Sequence, residues 1–256
     1  SGPHPTSPAQ IAQLPEPYDR QALRQVLQDL GLALPRSVVV LVGGAGGLAD
    51  SERLTIARWI DRGLVPFLEH HRVCLVDGGT DSGVMALAGQ ARRAAGAAQP
   101  HVGVVAAGTI RQPSGPAPSV GDPAAFEPNH THVLIVPGSS WGDEAPWIGR
   151  VATALAADGI HAARPTVTVL ANGGQIAYDD VRYSLNAGRP VVILAGTGRT
   201  ADVFARLSRA HPGSGFGPPE LRDAPEDAAE LARSPLATVV SGPDDLVSVL
   251  RRVLRP

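Results

Sequence analysis

Apolar positions along the chain switch repeatedly between two periods. From Tyr18 to Leu30, the residues Leu23, Val26, Leu27 and Leu30 recur at helical spacing, and Gly31 and Pro35 close the segment. The run Val38-Val39-Val40-Leu41-Val42 then has no polar break, and it passes straight into Gly43-Gly44-Ala45-Gly46-Gly47. A β-branched run of this length predicts a buried strand. The same unit returns along the chain. Val73–Val76 leads into the Asp77–Gly83 loop and a helix through Ala95. Val102–Val105 is a further strand. Val133–Val136 leads into Pro137–Glu144 and a helix to Ala157, and Thr166–Leu170 into Asn172-Gly173-Gly174 and a helix to Asn186. Val191–Leu194 leads into Gly196-Thr197-Gly198-Arg199 and a helix to Arg209. Ala237–Val240 leads into Gly242 and a helix to Leu254.

Continuous apolar strands alternating with helices predict an α/β fold: a doubly wound, mostly parallel sheet of six or seven strands, with helices on both faces. The expected organisation is a disordered segment over 1–17 and one domain over 18–256. Its core spans 37–207, a linker lies at about 211–233 with a short acidic helix after Glu220, and a last strand and helix occupy 236–254. The Pro-, Gly- and Ser-rich stretch 106–128 predicts a long loop, a mobile lid over the site. Most strands exit into glycine, and such folds bind ligands outside the carboxyl ends of the strands, where the strand order reverses.

Composition narrows the chemistry. Aromatic residues make up only 4% of the chain, so Val, Leu, Ile and Ala must fill the core. The net charge of −2 excludes the basic surface that duplex nucleic acid requires. All 22 basic residues are Arg, which removes lysine chemistry and leaves guanidinium groups to meet any anion. The lone cysteine, Cys74, sits within an apolar strand run and reads as a buried, inert thiol. No apolar run is long enough to span a bilayer and no signal peptide is evident, which predicts a cytoplasmic protein without membrane insertion.

Several loops carry candidate binding residues. Glycine lets backbone amides approach a phosphate, and a following helix N-terminus adds its dipole. Any one such loop is more simply a tight turn, but several on one sheet edge favour a ligand site. The first, Gly43-Gly44-Ala45, departs from the dinucleotide fingerprint, because Ala49 falls at the last position and Glu69 precedes the next strand instead of ending it. That disfavours a redox dehydrogenase. Arg199, at a glycine-loop-to-helix junction, suits pairing with a phosphate; an ion pair with Asp202 is the alternative. Asp143 and Glu144 suit either helix-dipole complementation, contact with ribose hydroxyls or acid–base work, and Trp141 suits a base or the core. His130 and His132 share one strand face without a third ligand at motif spacing, so no metal is expected. Asp179 and Asp180 are expected to cap and support their helix. No Gly-x-Ser-x-Gly elbow is present.

Taken in order, these segments resemble a known family. They are Val40–Ala45, Asp77-Gly78-Gly79-Thr80-Asp81-Ser82-Gly83-Val84-Met85, Glu127–His132 with Leu134, Trp141-Gly142-Asp143-Glu144, and Gly196-Thr197-Gly198-Arg199-Thr200-Ala201-Asp202. Together they are similar to prokaryotic members of the SLOG superfamily (the SMF/DprA and Lonely Guy group), in the branch related to the cytosolic amino-terminal domains of TRPM channels. The resemblance implies a Rossmann-like sheet that binds a nucleotide-derived ligand such as ADP-ribose, a cyclic ADP-ribose relative or NAD, with no required cofactor. It implies that the Asp77–Met85 loop, including Gly78, Gly79, Thr80, Ser82, Gly83 and Val84, and the Gly196–Asp202 loop hold phosphate and ribose. Asn129, His130 and Trp141 to Glu144 would line the pocket, beside Gly43, Gly44, Ala45, Gly173 and Gly174.

Lonely Guy enzymes carry a Pro-Gly-Gly-x-Gly-Thr-x-x-Glu loop and cleave the glycosidic bond of nucleoside monophosphates. Here Pro137-Gly138-Ser139-Ser140-Trp141-Gly142-Asp143-Glu144 lacks the threonine, and the family glutamate would fall on Ala145. The expectation is therefore a ligand sensor, homo-oligomeric, acting on an effector protein. The alternative is a nucleotide N-glycosidase with Glu144 as its catalytic group.

Overall fold

The computed structural model describes residues 9–14, 19–112, 117–210 and 223–255. Its centre is one eight-stranded sheet in which every neighbouring pair is parallel. The strands are β1 (Gln10–Gln13), β2 (Val38–Gly43), β3 (Cys74–Asp77), β4 (His101–Ala106), β5 (His132–Val136), β6 (Thr166–Ala171), β7 (Val191–Leu194) and β8 (Ala237–Val240). They lie in the order β1-β5-β4-β3-β2-β6-β7-β8.

The helices are α1 (Arg20–Asp29), α2 (Asp50–Trp59), α3 (Val65–His71), α4 (Gly83–Ala94), α5 (Ala145–Ala156), α6 (Gln175–Asn186), α7 (Arg199–Leu207), α8 (Ala228–Ala232) and α9 (Pro243–Val253). A single π-helical turn, Ile60–Leu64, joins α2 to α3.

The alternation within β2 shows why both faces are covered. Val38, Val40 and Val42 enter one buried cluster with Leu27 of α1, Val151 and Leu155 of α5, Val181 of α6 and Phe204 of α7. Val39 and Leu41 enter the other, with Ile56 of α2, Leu68 of α3, Val84 of α4 and Leu250 of α9. Each strand residue is thus apolar whichever way it points, as a doubly covered parallel sheet requires.

Seven of the strands match the sequence expectation within a residue or two. The eighth is β1, whose residues lie in the segment expected to be disordered. Gln10-Ile11-Ala12-Gln13 carries too little apolar content to announce itself, and parallel pairing with His132–Ile135 of β5 is what orders it. The sheet is also wholly parallel, where a mostly parallel one was expected.

The strand order reverses between β2 and β6. From β2 the chain moves outward through β3, β4 and β5; it then returns to β6 on the other side of β2 and continues to β7 and β8. Gly43 at the end of β2 pairs with Ala171 at the end of β6, so the loops leaving these strands diverge from adjacent points. That leaves a crevice at the carboxyl edge.

The described parts of the long β4–β5 connection lie along this edge. Ala107–Thr109 makes a 3-10 turn, and isolated bridges join Ile110 to Ala124 and Thr80 to Phe126. The second expected linker lies partly outside the described residues, over 211–222; its later part holds α8.

Candidate functional site

A cavity of about 510 Å³ opens at the β2/β6 divergence. One wall is the backbone of Gly43, Gly44, Ala45 and Gly46. A second is Gly78, Thr80, Ser82 and Met85, and a third is Gly174, Gln175, Ile176, Ala177 and Asp180. Trp141, Glu144 and Ile148 close the far side, Asp122 and Ala124 come from the long connection, and Arg199 stands at the rim above Leu41 and Val42.

The loops that form it are laced together. Val84 donates its amide to the Gly44 carbonyl at 3.0 Å. Gly83 has φ +51, and a Cβ there would lie 1.9 Å from the Gly44 oxygen, so only glycine permits this contact. On the other side, Asn172 donates from its side chain to the Thr197 carbonyl (2.8 Å), and its own amide donates to Thr197 Oγ1 (2.9 Å). Arg199 then spans the two halves by donating from Nη1 to the Gly46 carbonyl at 3.0 Å.

Not every glycine loop offers free amides. The Asp202 carboxylate accepts from the amides of Gly196 (2.6 Å) and Gly198 (3.2 Å), and Asp143 accepts from Ser139 and Ser140. Asp202 therefore satisfies its own loop instead of pairing with Arg199. Of the residues picked out by sequence, Gly43, Gly44, Ala45, Gly78, Thr80, Ser82, Met85, Trp141, Glu144, Gly174 and Arg199 line the cavity. Gly79, Gly83, Val84, Asn129, His130, Gly142, Asp143, Gly173, Gly196, Thr197, Gly198 and Asp202 are not part of that lining.

Behind the Gly78–Thr80 wall is a buried polar network. Asp77 Oδ1 accepts from the Gly79 amide (2.8 Å) and from His130 Nε2 (2.7 Å), while Oδ2 accepts from His101 Nε2 (2.7 Å). His130 Nδ1 in turn donates to Glu127 Oε2 at 2.8 Å. Burial alone would lower the His130 pKa, but the Asp77 and Glu127 carboxylates outweigh it and raise it to about 9. Burial, reinforced by His130, lowers His101 to about 4, so His101 is neutral. Burial works against the Asp77 carboxylate, yet its two histidines hold it well below the usual range.

Donor atoms of Asp77, His101 and His130 lie within 4.8 Å of one another, close enough to consider a cation. The imidazole rings, however, stack at 3.7 Å with a 30° tilt, and their nitrogens run side by side to two different oxygens of one carboxylate. That is the arrangement of charge-assisted hydrogen bonds. The network ties the Gly79 turn to β4 and to the end of the long connection, where Glu127 donates its amide back to the Gly79 carbonyl.

Sequence reasoning missed Asp180 as a wall residue. The first turns of α6 follow a glycine pair, and acids there read as helix support. In the structure, Asp180 lies one turn after Ala177 on the same face and lines the cavity with Glu144. Among the described residues it accepts no hydrogen bond. Burial first, then the nearby Glu144 and Asp179 carboxylates, push its pKa up to about 8. Glu144 is also raised, chiefly by burial; its Oε2 accepts from the Gly142 amide at 3.0 Å. The available signal was helical spacing: Asp180 lies between Ala177 and Ser184, two buried positions of α6, three residues after the first and four before the second.

The family model described as SLOG in TRPM, prokaryote, matches residues 36–244. The chain belongs to this family. This SLOG domain is also 26% identical over 210 residues to the mouse (Mus musculus) transient receptor potential cation channel subfamily M member 2, and 25% identical to the rat (Rattus norvegicus) protein. The alignment covers 71% of the chain but 14% of each channel, so the likeness concerns a small part of those proteins. Among the described residues of this SLOG domain, no helix is long and apolar enough to cross a membrane.

Proposed function

We propose that this SLOG domain binds a nucleotide-derived ligand of the ADP-ribose, cyclic ADP-ribose or NAD kind, as a cytoplasmic sensor. The observation that carries the reading is the cavity at the strand-order reversal, walled by glycine backbone on one side and rimmed by a guanidinium. Backbone amides and Arg199 suit phosphate, and Trp141 offers an aromatic face for a base. A homo-oligomer and an effector protein complete the proposal; sizing the protein with and without ADP-ribose tests the first.

Thermal melting against a panel of AMP, ADP, ADP-ribose and NAD, followed by product analysis, tests the reading. A specific ligand at roughly a thousandfold excess over Kd adds about 4 kcal/mol of stability. A flat panel would remove the sensor.

One observation favours a second reading, N-glycosidic hydrolysis. Glu144 and Asp180 line the same cavity, and both have raised pKa values. A water oxygen would bond to ribose C1′ as the C1′–N bond breaks, with Glu144 taking the water's proton and protonated Asp180 giving one to the departing nitrogen. Release of free base from AMP, abolished by Glu144→Gln with binding intact, would establish it.

A further inference from the structure

Asp180 is the unexplained group in this molecule. It is half-buried, lines the cavity, and has no hydrogen-bond or ionic partner among the described residues. A polar group that faces a cavity without a protein partner is open to completion by whatever enters the cavity. Across the same cavity stands Glu144, one of whose oxygens already accepts from the Gly142 amide.

The Glu144 charge raises the Asp180 pKa, so the two carboxyl groups do not both ionise readily. With Asp180 protonated and Glu144 ionised, the pair presents one donor and additional acceptor oxygens to the cavity. Amides and a cation suit the anionic end of a ligand, whereas this pair of carboxyl groups suits a neutral group that both gives and accepts hydrogen bonds. Adjacent sugar hydroxyls do both.

We infer that Glu144 and Asp180 together grip the vicinal hydroxyls of a ribose in the ligand and so make the site selective for ribose over deoxyribose. This rests on the binding reading above and deepens it. Asp180 is faced by Glu144 from the turn before α5 and by Asp179 on its own helix; Arg199 and Asp122 lie on other walls of the cavity.

The test is calorimetric titration of the intact chain with AMP and ADP-ribose, and with their analogues lacking the 2′- or 3′-hydroxyl of either ribose. The wild type should bind the parent compound at least roughly tenfold more tightly than one such analogue. Asp180→Ala should erase that preference. Wild-type affinity should fall as pH rises through about 8, where Asp180 ionises. Asp180→Asn, which keeps a donor, should flatten that profile, a change that a merely structural role would not produce.

Equal binding of parent and deoxy compounds by the wild type would overturn the clamp and leave the binding reading intact. If neither AMP nor ADP-ribose nor any analogue binds, both fall together. If the preference survives in Asp180→Ala, another residue reads the hydroxyls, and the assignment is wrong.

Discussion

Arg199 donates to the carbonyl of Gly46, a residue 153 positions earlier, and so bridges the two sides of the strand-order reversal. It holds this place with a left-handed backbone (φ +48) at the first position of α7, a conformation that non-glycine residues rarely adopt. Left-handed backbone at a non-glycine residue persists when its surroundings over-determine it. Here the guanidinium is set at the cavity rim, in reach of an incoming anion.

Arg199→Ala should therefore weaken binding of ADP-ribose by roughly tenfold or more, since it removes a charge-assisted contact. Arg199→Lys should recover only part, because an ammonium cannot both donate to Gly46 and present a planar fork. Titration calorimetry reads both. Unchanged affinity in the alanine variant would remove Arg199 from the site.

Gly83→Ala should be destabilising out of proportion to one methyl group. The added Cβ would meet the Gly44 and Ala45 backbone oxygens at 1.9 and 2.7 Å, with φ at +51. Either the β2 loop shifts or the first turn of α4 is lost, at a cost of about 2 kcal/mol or more. Urea denaturation measures it, and wild-type stability in this variant would show that the two loops are not in contact.

Stability should peak near pH 6.5 through the Asp77 network. His130 has a folded pKa near 9 against an ordinary value of 6.5, so its contribution is complete below 6.5 and is lost as pH rises through 9. His101 has a folded pKa near 4, so its contribution is complete above 6.5 and is lost as pH falls through 4. Asp77 adds to the acid-side loss, since its lowered pKa means that protonation occurs first in the unfolded chain. Asp180, raised to about 8, loses its contribution as pH rises from the ordinary carboxylate range to 8, so it flattens the acid side of the maximum and steepens the fall between 6.5 and 8. Melting temperatures across pH 4–10 should show the maximum, and Asp77→Asn should lower and broaden it.

Cys74 should stay unreactive toward thiol reagents until the protein unfolds. It is fully buried, and burial pushes its thiol up to about 12, so almost no thiolate exists at neutral pH. Rapid labelling of the native protein would contradict the packing of β3 between the two helix layers.

The sequence alone determined the periodic structure. Runs such as Val38–Val42 and Val191–Leu194 are apolar on consecutive positions, which only a strand covered on both faces satisfies, and helical spacing marks the segments between them. The glycine that follows most strands pointed to one functional edge because parallel strands all end on the same side. The edge strand Gln10–Gln13 was not legible, because its order comes from a partner more than a hundred residues away.

Tertiary structure decided which loop residues face the cavity and which serve one another. Asp202 and Asp143 look equivalent to Glu144 and Asp180 in composition, yet the first two only serve amides of their own loops, whereas Glu144, which also accepts from Gly142, and Asp180 line the cavity. His130, a pocket candidate by its neighbours, is instead the buried link between Asp77 and Glu127. The reason is physical. Local periodicity reports which face of an element is dry, whereas the partner of a polar group depends on how distant segments meet, and no local pattern encodes that meeting.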